Sequence, residues 1–78
     1  MARSFSKVLV ANRGEIARRV FAGCRGLGLA TVAVHSGPDS HAPFVGEADE
    51  VVPIGGRTAA ESYLDIDKLL EAARLTGA

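Results

Sequence analysis

A short apolar strand that leads through one tight polar turn into an amphipathic helix limits this chain more than any other feature. Residues 8–11 are all apolar, without the alternation of a half-exposed strand, which is typical of a central strand covered by helices on both faces. Residues 12–14, Asn-Arg-Gly, form the turn, and a helix is predicted over residues 14–27. The 3.6-residue spacing of apolar residues predicts its buried side: Ile16, Ala17, Val20, Phe21, Cys24 and Leu27. This succession indicates an open α/β fold.

Two further strands and a second helix continue the pattern. Residues 29–34 are nearly all apolar and include three β-branched side chains, which predicts a second strand, parallel to the first because a right-handed βαβ crossover joins them. Residues 51–54 predict a third strand, and Pro53 places it at a sheet edge or strand end because proline cannot donate a ladder hydrogen bond. A last helix is predicted over residues 66–75, capped by Asp65 and closed by Gly77. Its sheet-facing residues are predicted to be Ile66, Leu69, Leu70 and Ala73.

The predicted fold class is therefore α/β with an open parallel sheet, in a single domain over residues 1–78. A short helical or irregular piece is expected up to Glu47, and one helical turn over residues 59–64. A fourth strand should follow the last helix, and the sequence does not contain one. We therefore expect the domain to be incomplete at its C-terminal end.

Composition excludes several classes of function. Nine basic and nine acidic residues give a formal charge of zero, so the chain lacks the electrostatic attraction that nucleic acid or an anionic membrane would require. No apolar run approaches the ~20 residues of a membrane span. Residues 1–6 lack the apolar stretch of a secretory signal. Together these two observations predict a cytoplasmic location. Cys24 is the only cysteine, so no intrachain disulfide and no cysteine-based metal site can form, and we expect it to be a small buried hydrophobe.

The turn after the first strand holds the candidate binding residues. Asn12, Arg13, Gly14 and Glu15 lie at the carboxyl end of a strand and at a helix N-terminus, where a phosphate or carboxylate can bind free amides. Alternatively, Asn12 and Gly14 only shape the turn, while Arg13 and Glu15 form structural ion pairs, Glu15 with Arg19 at i,i+4. A dinucleotide site is not expected, because its fingerprint needs three glycines and only Gly14 is present.

The remaining polar segments are expected to be structural. Thirteen residues contain four potential metal ligands: His35, Asp39, His41 and Glu47. The intervening Gly-Pro and Pro residues prevent these side chains from sharing one face of a helix or strand, so a polar loop is expected instead of a metal site. Residues 55–58, Gly-Gly-Arg-Thr, lack the lysine of a phosphate loop and predict a flexible linker. Tyr63 is predicted to be a half-buried anchor whose hydroxyl reaches water or backbone.

Five blocks of the sequence, in the same order, resemble the N-terminal domain of the biotin carboxylase family. The first is Lys-Val-Leu-Val-Ala-Asn-Arg-Gly-Glu-Ile-Ala, and the blocks occupy residues 7–17, 31–36, 47–50, 61–66 and 76–78. The loop at residues 37–43 and the Gly55-Gly56 segment are most similar to α subunits of actinobacterial acetyl- or propionyl-CoA carboxylases. The resemblance implies a Rossmann-like domain that precedes an ATP-grasp fold.

The resemblance also implies what the complete enzyme does. Such an enzyme uses ATP with Mg²⁺ to activate bicarbonate and carboxylates biotin on a biotin carboxyl carrier domain, and a carboxyltransferase subunit then passes the carboxyl group to an acyl-CoA. The family's phosphate-binding, magnesium-binding and catalytic residues match positions beyond Ala78. We therefore expect no catalytic or metal-binding residue in this chain, and no cofactor bound by it alone.

One position carries over from the family to this sequence. Arg19 matches an arginine near the subunit interface of bacterial relatives, whereas two other interface positions have become Ala22 and Gly26. The alternative hypothesis is a stand-alone α/β module that binds a small anion, or a partner, through the turn at Asn12.

Overall fold

The computed structural model describes residues 5–78, which contain three strands, two α-helices and one 3-10 helix. Met1–Ser4, part of the segment in which no secretory signal was predicted, lie outside the described residues. The elements in chain order are β1 (Lys7–Val10), α1 (Gly14–Gly26), β2 (Ala30–His35), the 3-10 helix (Pro43–Glu47), β3 (Glu50–Pro53) and α2 (Ile66–Thr76).

The three strands form one parallel sheet in the order β1-β2-β3. Lys7 pairs in register with Ala30, and Val32 with Glu50. The α/β class, the parallel pairing of the first two strands and the edge position of β3 are thus confirmed. Each strand is displaced by one residue from its predicted bounds.

Both faces of the central strand are covered. Four consecutive residues of β2, Thr31 to Val34, are at most 3% exposed, and neighbouring strand residues point to opposite faces. Helix α1 and the 3-10 helix contact each other, where Arg18 binds Glu47 and the guanidinium of Arg25 donates to the Glu47 carbonyl, 3.0 Å. These two elements cover one face, so α2 covers the other. The 3-10 helix is the short helical or irregular piece that was expected up to Glu47, and its Phe44 is buried.

Helix α1 buries less of its apolar side than its sequence predicts. Ala17, Phe21 and Cys24 are buried as expected, but the predicted burial of Ile16, Val20 and Leu27 is wrong, because they are 63%, 36% and 70% exposed. Within residues 5–78 the sheet has three strands, which lie under only part of the helix, and these three residues lie on its more exposed flank.

Helix α2 begins and ends where its signals predicted. The Asp65 carboxylate accepts from the Lys68 amide, 3.2 Å, and Gly77 adopts a left-handed φ of 76°. Leu69 packs against the core as predicted, whereas the buried alanine is Ala72 and the predicted Ala73 is half-buried. Two other predictions for this region are wrong. Ile66 and Leu70 are 69% and 63% exposed, and residues 59–64 form a succession of turns instead of a helical turn.

Candidate functional site

The turn between β1 and α1 places Arg13 and Gly14 at the carboxyl end of the sheet. Gly14 starts the helix with a left-handed φ of 58°, a conformation that costs a residue with a Cβ about 1–2 kcal/mol. Arg13 occupies the N-cap position with extended backbone, and its side chain makes no cap hydrogen bond. The guanidinium is instead directed across the sheet edge toward the loop after β2.

Arg13 forms a bidentate ion pair with Asp39. The Nε–Oδ2 distance is 2.6 Å and the Nη2–Oδ1 distance is 2.7 Å, a geometry that is stronger and more directional than a single contact. The Asp39 side chain is only 10% exposed, whereas that of Arg13 is 59% exposed. The guanidinium hydrogen bonds hold the pKa of Asp39 below its usual range, although burial acts in the opposite direction. The structural ion pair predicted for Arg13 is present.

Tyr63 connects this ion pair to a third segment. Its hydroxyl donates to Asp39 Oδ2, 2.6 Å, and accepts from the buried amide of Ser36, 3.0 Å. The centroid of its ring lies 5.6 Å from the Arg13 guanidinium carbon. Burial, followed by the bond to Asp39, raises the pKa of the Tyr63 hydroxyl. The predicted backbone contact is confirmed, but Tyr63 is buried, not half-buried.

The turn borders an open cleft of about 470 Å³, whose charged residues are engaged with one another. The cleft is lined by Arg13, Gly14, Glu15, Arg18, Asp39, Ala42, Pro43 and Phe44. Arg18 binds Glu47, and Glu15 lies 3.7 Å from Arg18 and 3.6 Å from Arg19, as predicted for the i,i+4 pair.

The structure thus brings Arg13, Gly14 and Glu15 together, whereas Asn12 is exposed and is not among the lining residues. The cationic groups of the cleft are neutralised within the chain, so the cleft offers an anion little net positive charge. A binding role for these four residues stays a prediction.

The glycine segment after β3 is more closely packed than a linker. Gly56 has a φ of 78°, and a Cβ built there would lie 2.6 Å from the Glu61 carbonyl oxygen. Its own carbonyl accepts from the Gly37 amide, 3.1 Å. The prediction of a simple flexible linker is therefore wrong at this position, because the loops after β2 and β3 contact each other through Gly37 and Gly56.

Of the four candidate metal ligands, three have contacts within the fold, and His41 is exposed. His35 Nδ1 lies 2.8 Å from the Ser36 carbonyl, while Asp39 and Glu47 bind arginines. Across residues 5–78, no group of three or more His, Cys, Asp or Glu side chains could hold a metal ion. Over the same residues, neither helix is long and apolar enough to cross a bilayer.

Sequence reasoning did not identify the contacts that Asp39, Ser36 and Gly56 make between the loops at this edge of the sheet. Arg13 and Asp39 are 26 residues apart, and only the parallel sheet brings their two loops to the same edge. One signal was available, since a tyrosine placed to be buried requires a hydrogen-bond partner. Nothing in local spacing says which residue supplies it.

Comparison with known proteins gives a consistent result. The family model described as "Biotin carboxylase, N-terminal domain" matches residues 4–78. The chain is 56% identical over 73 residues to the biotin-dependent acyl-coenzyme A carboxylase alpha3 subunit of Mycobacterium leprae, covering 94% of this chain and 12% of that protein. It is 54% identical over 74 residues to one of the pyruvate carboxylase subunits of Methanothermobacter thermautotrophicus, covering 95% and 15%.

A solved structure shows that the fold is shared as well. The crystal structure of the K. lactis urea amidolyase matches with a TM-score of 0.91 and 53% identity, over 95% of this chain and 4% of that one. The chain therefore spans a small fraction of the length of the proteins it matches. The sequence match over nearly the whole chain and the superposed sheet and helices lead to one conclusion: the chain belongs to the family of biotin carboxylase N-terminal domains.

Proposed function

We propose that this chain is the N-terminal structural part of a biotin-dependent carboxylase, in which ATP and bicarbonate are used to carboxylate biotin. Its role is to support the catalytic domain, and it supplies no catalytic group itself. One observation carries the proposal: the same segment occurs in relatives whose names give different substrates. Those relatives include an acyl-CoA carboxylase that is 56% identical, a pyruvate carboxylase that is 54% identical and a yeast urea amidolyase that is 49% identical. A segment common to all of them serves the step they share and not the choice of substrate.

The geometry of the carboxyl edge supports a structural role. Arg13, Asp39 and Tyr63 bind one another and hold three loops in place. Groups that act on a substrate need free donors, free acceptors or a pKa near the working pH. The pKa of Asp39 is displaced downward and that of Tyr63 upward, so each is moved further from neutrality.

The cofactors and partners belong to the remainder of the enzyme in this proposal. ATP, Mg²⁺ and biotin would be bound there, since the described residues offer Mg²⁺ no carboxylate cluster. The partners would be an ATP-grasp domain, a biotin carboxyl carrier domain and a carboxyltransferase subunit, in the cytoplasm. Arg19, whose side chain is 80% exposed and has only a long 3.6 Å contact with Glu15, would lie at a subunit interface.

A chimeric enzyme tests the proposal. The segment of the Mycobacterium leprae protein that matches this chain is replaced by the 78-residue chain, and ATP hydrolysis that depends on both biotin and bicarbonate is measured. We expect the rate to stay within about tenfold of the parent, which corresponds to about 1.4 kcal/mol in the activation barrier. The unmodified parent protein is the matched control. A chimera that is soluble and folded but lacks this activity would contradict the proposal.

A further inference from the structure

The C-terminal end of helix α2 packs only lightly on the sheet. Of residues 66–76 only Ala72 is buried, and Leu75, in the last turn, is 63% exposed. An open cleft of about 350 Å³ lies between the helix and β3, and its strand side is lined by Val52, Pro53 and Ile54. A helix with so little buried apolar surface is weakly attached by packing alone.

The Lys7 side chain supplies a polar contact at this end of the helix. Its ammonium donates to the Thr76 carbonyl, with an Nζ–O distance of 2.6 Å, and forms an ion pair with Glu50, with an Nζ–Oε2 distance of 2.5 Å. The last four carbonyls of an α-helix have no donor within the helix, and the helix dipole also favours a cation there. Lys7 and Thr76 are 69 residues apart, so this contact joins the first strand to the end of the last helix.

The sheet register holds the ammonium in this position. Lys7 pairs with Ala30 and Glu50 pairs with Val32, and residues two apart in a strand share a face. Lys7 and Glu50 therefore lie on the same face of the sheet, the face that α2 covers. The Lys7 side chain is 25% exposed and that of Glu50 is 41% exposed. The ion pair is thus partly withdrawn from water, where charged contacts are stronger than at the open surface.

The basic residue in the last turn of α2 makes no such contact with the sheet. Arg74 binds Glu71 of the same helix, with an Nε–Oε2 distance of 2.9 Å, and its side chain is 70% exposed. An ion pair within one helix does not attach that helix to another element. Arg74 is therefore a matched control for Lys7, because it places a cation near the same helix end without a bond to the sheet.

We infer that Lys7 is a positioning residue for the carboxylase reaction: by holding the end of α2, it fixes the path of the polypeptide that leads from this helix to the catalytic part. The inference rests on the proposed function, in which the catalytic groups lie in the remainder of the enzyme. Gly77 and Ala78 both donate to the Ala73 carbonyl, 2.9 and 3.1 Å, and Gly77 has a left-handed φ of 76°. The direction of the chain beyond α2 is thus set within two residues of the carbonyl that Lys7 binds.

Three variants of the chimeric enzyme test this role. Lys7→Met removes the ammonium but keeps an unbranched apolar side chain, Lys7→Arg keeps the positive charge, and Arg74→Met is the matched control. We expect Lys7→Met to lower kcat for biotin-dependent ATP hydrolysis at least about fivefold, because displaced groups react more slowly. The KM for ATP should stay within about twofold, because ATP is bound in the remainder of the enzyme. Lys7→Arg and Arg74→Met should both keep kcat within about twofold of the unsubstituted chimera.

Amide hydrogen exchange, followed by mass spectrometry of peptides, measures the hold on the helix directly. In the Lys7→Met chimera, residues 70–78 should exchange at least about fivefold faster than in the unsubstituted chimera, because the end of α2 opens locally. Residues 30–35 of the central strand should change by less than about twofold, since local opening of the helix does not expose them. Arg74→Met should change both peptides by less than about twofold.

The outcomes separate the inference from the proposed function. An active unsubstituted chimera, with a lower kcat and a faster-exchanging helix end in Lys7→Met alone, supports both. If that chimera is active, then equal effects of Lys7→Met and Arg74→Met, faster exchange at an unchanged kcat, or no recovery by Lys7→Arg overturns the positioning role and leaves the proposed function standing. An unsubstituted chimera that is inactive or insoluble contradicts both. If Lys7→Met is insoluble, Lys7→Gln replaces it with the same expected results, and insolubility of both variants assigns Lys7 to the stability of the fold and overturns the positioning role.

Discussion

Replacing Tyr63 by phenylalanine tests whether the carboxyl edge of the sheet is held by one hydroxyl group. The substitution keeps the buried ring and removes only the atom that joins Asp39 to Ser36. Leaving the buried Ser36 amide without an acceptor costs about 1–3 kcal/mol, and losing a hydrogen bond to a charged group costs about 1.5–3 kcal/mol. Since Asp39 keeps its bidentate partner Arg13, the two losses overlap, and we expect a total of about 2–3 kcal/mol.

The assay is urea unfolding followed by far-ultraviolet circular dichroism at neutral pH. A loss of this size is a large fraction of the ~5–15 kcal/mol that stabilises an ordinary domain, and it should appear as a lower midpoint with an unchanged slope. In an Asp39→Ala background the hydroxyl has already lost one partner. There the same substitution should cost about 1 kcal/mol less. A cost below about 0.5 kcal/mol, or the same cost in both backgrounds, would refute the reasoning.

Two further predictions concern the same edge. Gly56→Ala should destabilise the chain by more than about 2 kcal/mol, because the added Cβ meets the Glu61 carbonyl. Gly55 has a similar φ of 70° but open space around it, so Gly55→Ala should cost only about 1–2 kcal/mol. Equal losses of stability for the two variants in urea unfolding would argue against close packing at Gly56. Because the pKa of Asp39 is lower in the folded chain, its stabilising contribution is complete above about pH 4 and is lost as the pH falls below that value. Unfolding measured between about pH 2 and 6 should show a steeper acid loss for the native chain than for Asp39→Asn, and parallel curves would exclude this role.

Local signals in the sequence located both α-helices and placed each strand within one residue of its observed bounds. The two ends of α2 were predicted correctly from Asp65 and Gly77, because capping depends on neighbouring residues alone. Burial was predicted less well, because it depends on what lies under a helix. Ile16 and Leu70 have suitable spacing for the apolar side of a helix, yet both lie beyond the reach of a sheet with three strands.

In the candidate site, too, the locally determined features were predicted and the tertiary contacts were not. Gly14 and Arg13 were identified as turn and ion-pair residues from their position after a buried strand. Their partner Asp39 could not be identified, because it comes from a loop that only the parallel pairing of β1 and β2 brings to that edge. Tertiary hydrogen bonds of this kind have no fixed sequence separation, so spacing does not reveal them.

The all-parallel pairing has a consequence for how the molecule is made. No two neighbouring strands are joined by a hairpin, so Lys7 meets Ala30 and Val32 meets Glu50 only after a crossover has been laid down between them. Contacts between distant positions form slowly, since a loop must close before they contribute. During translation β1 therefore leaves the ribosome before β2, and until β2 emerges this apolar strand lacks the neighbour that protects it from aggregation.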